Sequence, residues 1–212
     1  MEKPPKPYHD APRLPRTKEG DVDVVDLRAI VSGEWLELEI GPGRGNFLFE
    51  RAKAEPRAGL VGLEVRRKWA ALVDAKLAKL GHARRARTFS EDAKVVLPLL
   101  RPDASVRVAY LLFPDPWWKK RHQKRLVMGD VFVDELARLL VSDGELFIET
   151  DVEERAEQYR KRIDADARFV PFGDDAGSPM LAENPYGART NREHRAVADG
   201  LPVWRMRWRR AR

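Results

Sequence analysis

Eight residues constrain this chain more than any others: VRVAYLLF, residues 106–113. A run so nearly free of polar groups and so short is a strand covered on both faces, the central member of a parallel sheet. Shorter runs of the same kind recur around it. WLELEI (35–40) alternates apolar and acidic residues, GLVGLEV (59–65) and ARRARTF (83–89) follow, and GELFIET (144–150) comes later. ARFVPF (167–172) and VWRMRWRR (203–210) complete seven strands. In the last, Trp204, Met206 and Trp208 alternate with Arg205, Arg207 and Arg209, so one face is buried. Helical spacing fills the gaps: Trp69, Leu72, Val73, Leu77 and Leu80; a stretch near 92–101; Phe132, Leu136, Leu139 and Leu140; Val152, Ala156, Tyr159 and Ile163. Strand and helix in alternation predict a Rossmann-like α/β fold: a seven-stranded, mostly parallel sheet with helices on both faces. Its ligand site lies beyond the carboxyl ends of the strands.

Five acids fall on that edge. Glu39 and Glu64 close the first two strands, Asp92 follows the third, Asp115 the fourth and Asp151 the fifth. Between the first strand and its helix stands EIGPGRG, whose Gly41, Gly43 and Gly45 let a ligand approach the backbone. A pyrophosphate there would face Glu39, which is electrostatically poor. A cationic ligand suits the edge better, and S-adenosyl-L-methionine carries an ammonium and a sulfonium but no phosphate. Glu64 is placed for ribose hydroxyls and Asp92 for an adenine amino group.

The central strand runs into FPDPWWKKRHQKR (113–125). Pro114 and Pro116 restrict the backbone around Asp115 beside the expected methyl donor. Trp117 and Trp118 are able to stack on a base or to shield the pocket. Lys119, Lys120, Arg121, Lys124 and Arg125 form a dense cationic cluster next to that site, a surface for phosphates, with His122 belonging to it rather than acting as a base. The whole chain carries 40 Lys and Arg against 34 Asp and Glu, so the positive charge is local rather than a uniform coat. With no cysteine there is no disulfide, thiolate metal site or cysteine nucleophile, and no metal is expected. No apolar stretch is long enough for a membrane span, and the N-terminus lacks the apolar core of a secretory signal, which together with the missing cysteines implies a cytoplasmic protein. Five of the 15 prolines fall in residues 1–20, which read as a flexible arm ahead of a single domain over 21–212.

Taken together, EIGPGRG, GLEV, FPDPWWKKRHQKRL, ETD and TNRE resemble the bacterial tRNA (guanine-N7-)-methyltransferases over roughly residues 34–210. The resemblance implies a class I methyltransferase fold, S-adenosyl-L-methionine as cofactor, and tRNA as substrate, methylated at the variable-loop guanine, position 46. It implies cofactor contacts from Glu39, Glu64 and Asp92 and an active-site role for Asp115. Substrate contacts are implied for Lys119, Asp151, Thr190, Asn191, Arg192 and Glu193. RNA contacts are implied for the run of Lys120, Arg121, His122, Gln123, Lys124, Arg125 and Leu126. Trp118 stands where the family usually carries proline or a polar residue. Guanine N7 has a lone pair and no proton to lose, so this chemistry needs alignment more than a strong base. A methyltransferase acting on another RNA and a non-catalytic RNA-binding Rossmann protein are the alternatives, and cofactor titration separates the latter. No protein partner is evident, and a monomer and a homodimer are both compatible with the sequence.

Overall fold

The protein is described by a computed structural model over residues 8–115 and 128–212. It opens with a hairpin of β1 (Thr17–Glu19) and β2 (Val22–Asp26), paired Thr17↔Val24. The main sheet then begins. β3 (Trp35–Ile40) leads through the glycine loop into α1 (Asn46–Ala54). β4 (Ala58–Leu63), α2 (Arg67–Lys79), β5 (Ala86–Phe89) and the short α3 (Ala93–Val96) follow. β6 (Leu100–Arg101) adds a third strand to the hairpin. β7 (Val106–Leu112), α4 (Asp130–Leu139), β8 (Leu140–Thr150), α5 (Glu153–Asp164) and β9 (Phe169–Pro171) come next. β10 (Met180–Leu181), α6 (Asn191–Ala198) and β11 (Trp204–Arg210) complete the described elements.

The sheet runs β10-β11-β8-β7-β3-β4-β5, with β9 also on β11. From β8 to β5 the strands are parallel, and β11 is antiparallel to β8. After β3 the chain builds outward through β4 and β5, then returns to the other side of β3 with β7. The strand order therefore reverses between β3 and β7, which is where an open α/β sheet forms its crevice. Helices cover both faces. Side chains from α3, α4 and α5 (Val96, Phe132, Leu136, Ile163) share one core with Leu38, Ile40, Leu111 and Ile148. On the other face α1 and α2 bury Phe47, Leu48, Val73 and Leu77 against Leu60, Val108 and Tyr110.

All seven expected strands are present. β10 is an eighth, and the three-stranded β1-β2-β6 sheet stands apart from the predicted plan. The helix expected near 92–101 stops after one turn, because Pro98 lacks the N–H a helix needs and Leu100–Arg101 pair with β2 instead. The flexible arm expected over 1–20 is corrected from residue 8 onward. Ala11 and Leu14 are buried, Pro12 O accepts from Ser90 N at 2.7 Å, and Leu14 N donates to Glu91 Oε1 at 3.2 Å. Two buried apolar side chains and these bonds are enough to dock a proline-rich segment that has little helix or strand propensity of its own. Among the described residues no helix is long and apolar enough to cross a membrane.

Candidate active site

The first strand places two acids on the same face. Glu37 and Glu39 both point toward α1, opposite to Leu38 and Ile40, and both are buried. Their surroundings differ. Glu37 takes a two-pronged contact from Arg51 (2.7 and 2.8 Å), the Tyr110 hydroxyl (2.8 Å) and Trp35 Nε1 (3.0 Å). It is a satisfied ion pair. Glu39 is 2 % exposed, and its Oε2 finds no hydrogen-bond partner among the described residues. Burial, with a smaller push from the nearby Glu64, lifts its carboxyl from 4.5 to about 8. A charge buried without a partner is costly, so this carboxyl, lining the smaller cavity, would be stabilised in its charged form by a cationic group beside it.

The loop after β3 turns through three left-handed residues, Gly41 (φ 75°), Gly43 (φ 56°) and Gly45 (φ 75°). At Gly45 any side chain would also meet Val73 at 2.5 Å. Gly43 N donates to Glu64 Oε2 at 2.8 Å, and Glu64 Oε1 accepts from Arg66 N and Nε at 2.9 and 3.0 Å. Glu64 thus ties the end of β4 to the glycine loop. Arg66 is mostly exposed, so its side chain is free to swing aside and leave an acceptor on Glu64 for a ligand hydroxyl.

Two adjoining cavities occupy the crevice. The larger, about 800 Å³, runs from Gly41 and Glu64 past Glu91 and Asp92 to Phe113 and Asp115. The smaller, about 320 Å³, is walled by Glu39, Gly41, Gly43 and Arg44 on one side and Thr190, Asn191 and Arg192 on the other. Gly41, Arg66, Leu112 and Phe113 belong to both walls. Phe113 is a left-handed non-glycine residue (φ 47°) whose N–H is held by Glu149 O at 2.8 Å. Such a conformation persists only where the surroundings enforce it.

The expected residues divide as follows. Glu39, Gly41, Gly43, Glu64, Asp92 and Asp115 converge on the crevice, as do Thr190, Asn191 and Arg192, while Gly45 is buried behind it as the N-cap of α1. Asp92 is exposed and also caps α3 through Lys94 N at 3.0 Å. Asp151 stands behind Arg192, whose Nε donates to it at 2.7 Å while the guanidinium lies over the Phe113 ring. Glu193 stands apart from the substrate-facing position expected for it. It is fully buried and in neither cavity wall, accepting from Arg205 at 2.9–3.0 Å and from Asn184 at 3.1 Å. Glu149 shares that nest, and burial followed by the neighbouring Glu193 raises its carboxyl well above the ordinary value. Thr190 Oγ1 caps α6 by accepting from Glu193 N at 3.0 Å. Lys119, Lys120, Arg121, His122, Gln123, Lys124, Arg125 and Leu126, like Trp117 and Trp118, lie outside the described residues. Sequence reasoning missed Glu91, which is buried in the larger wall and anchors Leu14 N, Arg13 and Arg16.

Comparison with known proteins settles the family. Residues 34–206 match the family model described as "Putative methyltransferase". A tRNA (guanine-N(7)-)-methyltransferase from Anaeromyxobacter dehalogenans is 39% identical over 177 residues, covering 83% of this chain and 86% of that one. One from Microcystis aeruginosa is 33% identical, covering 82% of each. The chain belongs to the tRNA (guanine-N7)-methyltransferase family. Solved structures agree on the fold: the 16S rRNA methyltransferase KamB superposes with a TM-score of 0.60 at 15% identity, covering 93% of this chain and all of that one. An rRNA methylase from Streptococcus thermophilus gives 0.55 at 14% identity, covering 88% and 92%. The sheet of β3, β4, β5, β7, β8, β9 and β11 with helices on both faces is a class I methyltransferase fold.

The crevice fits the methyl donor of this family, S-adenosyl-L-methionine. Its amino-acid end carries an ammonium and a carboxylate. The partnerless Glu39 oxygen suits the first, and the start of α1, which has no acid in its first turn and no side-chain cap, suits the second. Glu64, Glu91, Asp92 and Asp115 set carboxylates along the larger cavity, which lies within the usual size for a ligand site.

Proposed function

We propose that this chain transfers the methyl group of S-adenosyl-L-methionine to N7 of the guanine at position 46 in the variable loop of tRNA, acting in the cytoplasm. The observation that carries the reading is the buried Glu39, whose Oε2 has no hydrogen-bond partner among the described residues, facing the Thr190–Arg192 segment across one cavity, in a chain of this family. The names borne by its relatives support the substrate.

In this reading S-adenosyl-L-methionine supplies an electrophilic methyl carbon. Glu39 and the glycine loop hold its amino-acid end, Glu64 its ribose and Asp92 its base. Because N7 has a lone pair and carries no proton, no residue is needed as a strong base. The work of the chain is alignment. Thr190, Asn191 and Arg192 receive the guanine from the α6 side, with Asp151 orienting Arg192. Asp115, exposed at the end of the central strand, accepts hydrogen bonds from the base and balances the positive charge that arrives on the ring. Glu193 serves from behind, holding the start of α6 through Arg205 and Asn184. Lys119 is assigned to the substrate and the run Lys120–Leu126 to the RNA, on the family resemblance of the sequence. The purified protein, given tRNA and cofactor, should create a site of borohydride- and aniline-induced strand scission at the variable-loop guanine. Scission elsewhere in the tRNA overturns the assignment of position 46, and none at all overturns the N7 reaction.

A further inference from the structure

The segment before α6 is held by an unusual set of bonds from α1. Arg189, the residue just before Thr190, has both of its backbone groups bound by side chains of that helix. Its N–H donates to Glu50 Oε2 at 2.8 Å, and its carbonyl accepts from Asn46 Nδ2 at 2.9 Å. Glu50 Oε1 also accepts from Asn46 Nδ2 and meets His194 Nε2, both at 2.8 Å. The next residue of α1, Arg51, donates from Nη1 to Tyr186 O at 2.8 Å while its other nitrogens are locked on the buried Glu37. Burial pulls the Glu50 carboxyl upward, but the bonds from Arg189 N–H, His194 and Asn46 outweigh it and hold the group below its ordinary value.

The location gives these bonds their meaning. α1 starts at Gly45, the last glycine of the cofactor loop. Arg189 precedes Thr190, the first residue of the segment that walls the smaller cavity. Hydrogen bonds to an ionised acceptor are the short, directional kind, and a carboxylate reaching both backbone and side-chain donors fixes a loop more tightly than apolar contact does. We propose that Glu50 is a positioning residue that sets the Thr190–Arg192 segment against the glycine loop, and so sets the distance between the acceptor base and the donor methyl. It touches neither ligand; it acts through Arg189 and Asn46. The inference rests on the proposed function.

Glu50→Gln tests it, because the amide keeps the size but presents donors toward Arg189, Asn46 or His194. Three readouts are needed. Single-turnover methylation at saturating tRNA and cofactor should fall about tenfold or more, since small misplacements of reacting groups are costly. Affinity for S-adenosylhomocysteine should stay within about twofold, because Glu50 makes no hydrogen bond to Glu39 in β3 or to Glu64 just after β4. Hydrogen exchange at the Arg189 amide should quicken about tenfold or more as its acceptor weakens. A wild-type rate overturns the proposal, as does cofactor affinity falling in step with the rate. If Glu50→Gln does not fold, Glu50→Asp, which shortens the reach to the Arg189 N–H, is read the same way, and an unchanged rate there also overturns it. Should the wild-type protein transfer no methyl group to tRNA, the proposed function fails, while exchange at the Arg189 amide still decides whether Glu50 holds the segment.

Discussion

If Glu39 receives the ammonium of the cofactor, as proposed, binding should release a proton. Lifting its carboxyl from 4.5 to about 8 corresponds to about 5 kcal/mol against the charged form. At pH 7 roughly nine in ten molecules therefore hold the proton on Glu39 before the ligand arrives. Seating an ammonium beside Oε2 favours the carboxylate and expels that proton. Titration with S-adenosylhomocysteine, which keeps the ammonium, should release about 0.9 proton at pH 7. Calorimetry in phosphate and in Tris measures this directly, because the two buffers differ in ionisation enthalpy. Affinity should tighten nearly tenfold per pH unit from 6 to 7.5, and Glu39→Gln should bind weakly with no such slope. The same group sets a stability trend. Below pH 4.5 Glu39 is protonated in both folded and unfolded chains. Between 4.5 and about 8 only the unfolded chain ionises, so the ligand-free fold loses about 1.4 kcal/mol per pH unit there and nothing further above 8. The stability of Glu39→Gln relative to wild type should thus rise by about 3–4 kcal/mol from pH 5 to 8. Proton release near zero, with a pH-independent affinity, would refute the reasoning.

Asp115→Asn should lower kcat by about 100-fold or more, the loss of roughly 2.7–4 kcal/mol seen for groups that stabilise developing charge, while cofactor affinity changes little; single-turnover kinetics separate the two. Converting Lys120, Arg121, Lys124 and Arg125 together to Ala should flatten the slope of log K against log salt by about 3–4, read by filter binding with tRNA, whereas a wild-type slope would make them a solvated surface. Trp208→Ala should cost about 3–5 kcal/mol in urea unfolding, because the indole is fully buried in β11 and its Nε1 donates to Asp164 at 2.7 Å.

The strands of this protein were legible because burial on a sheet leaves a mark on composition. VRVAYLL is buried except at Arg107, and Met206 and Trp208 of the period-two ending are fully buried. The glycine loop and the acids of the strand ends were legible because glycine and buried carboxylate are unusual choices there. Elements with little apolar burial were not. Thr17–Glu19 is exposed at every residue, Met180–Leu181 is two residues long, and α6 buries only Glu193 and Ala196, so none shows a periodic stripe. In WLELEI the alternation resembles that of a strand with one wet face. The structure instead covers the acidic face with α1 and supplies Arg51, fourteen residues on, to neutralise Glu37 alone. Partnerships made across the fold were likewise invisible: Glu193 with Arg205 and Glu149, Glu91 with Leu14, and Arg189 with Glu50. They decide which acid faces a ligand and which holds the frame.

Transfer of a methyl group to guanine N7 is tested most directly by changing that one atom. A tRNA carrying 7-deazaguanine at position 46 keeps the shape and pairing edge of the base but has carbon in place of N7. With radiolabelled S-adenosyl-L-methionine, the protein should label the unmodified tRNA to about one methyl group per molecule and leave the deaza tRNA unlabelled. Equal labelling of both would place the reaction on another atom and contradict the account.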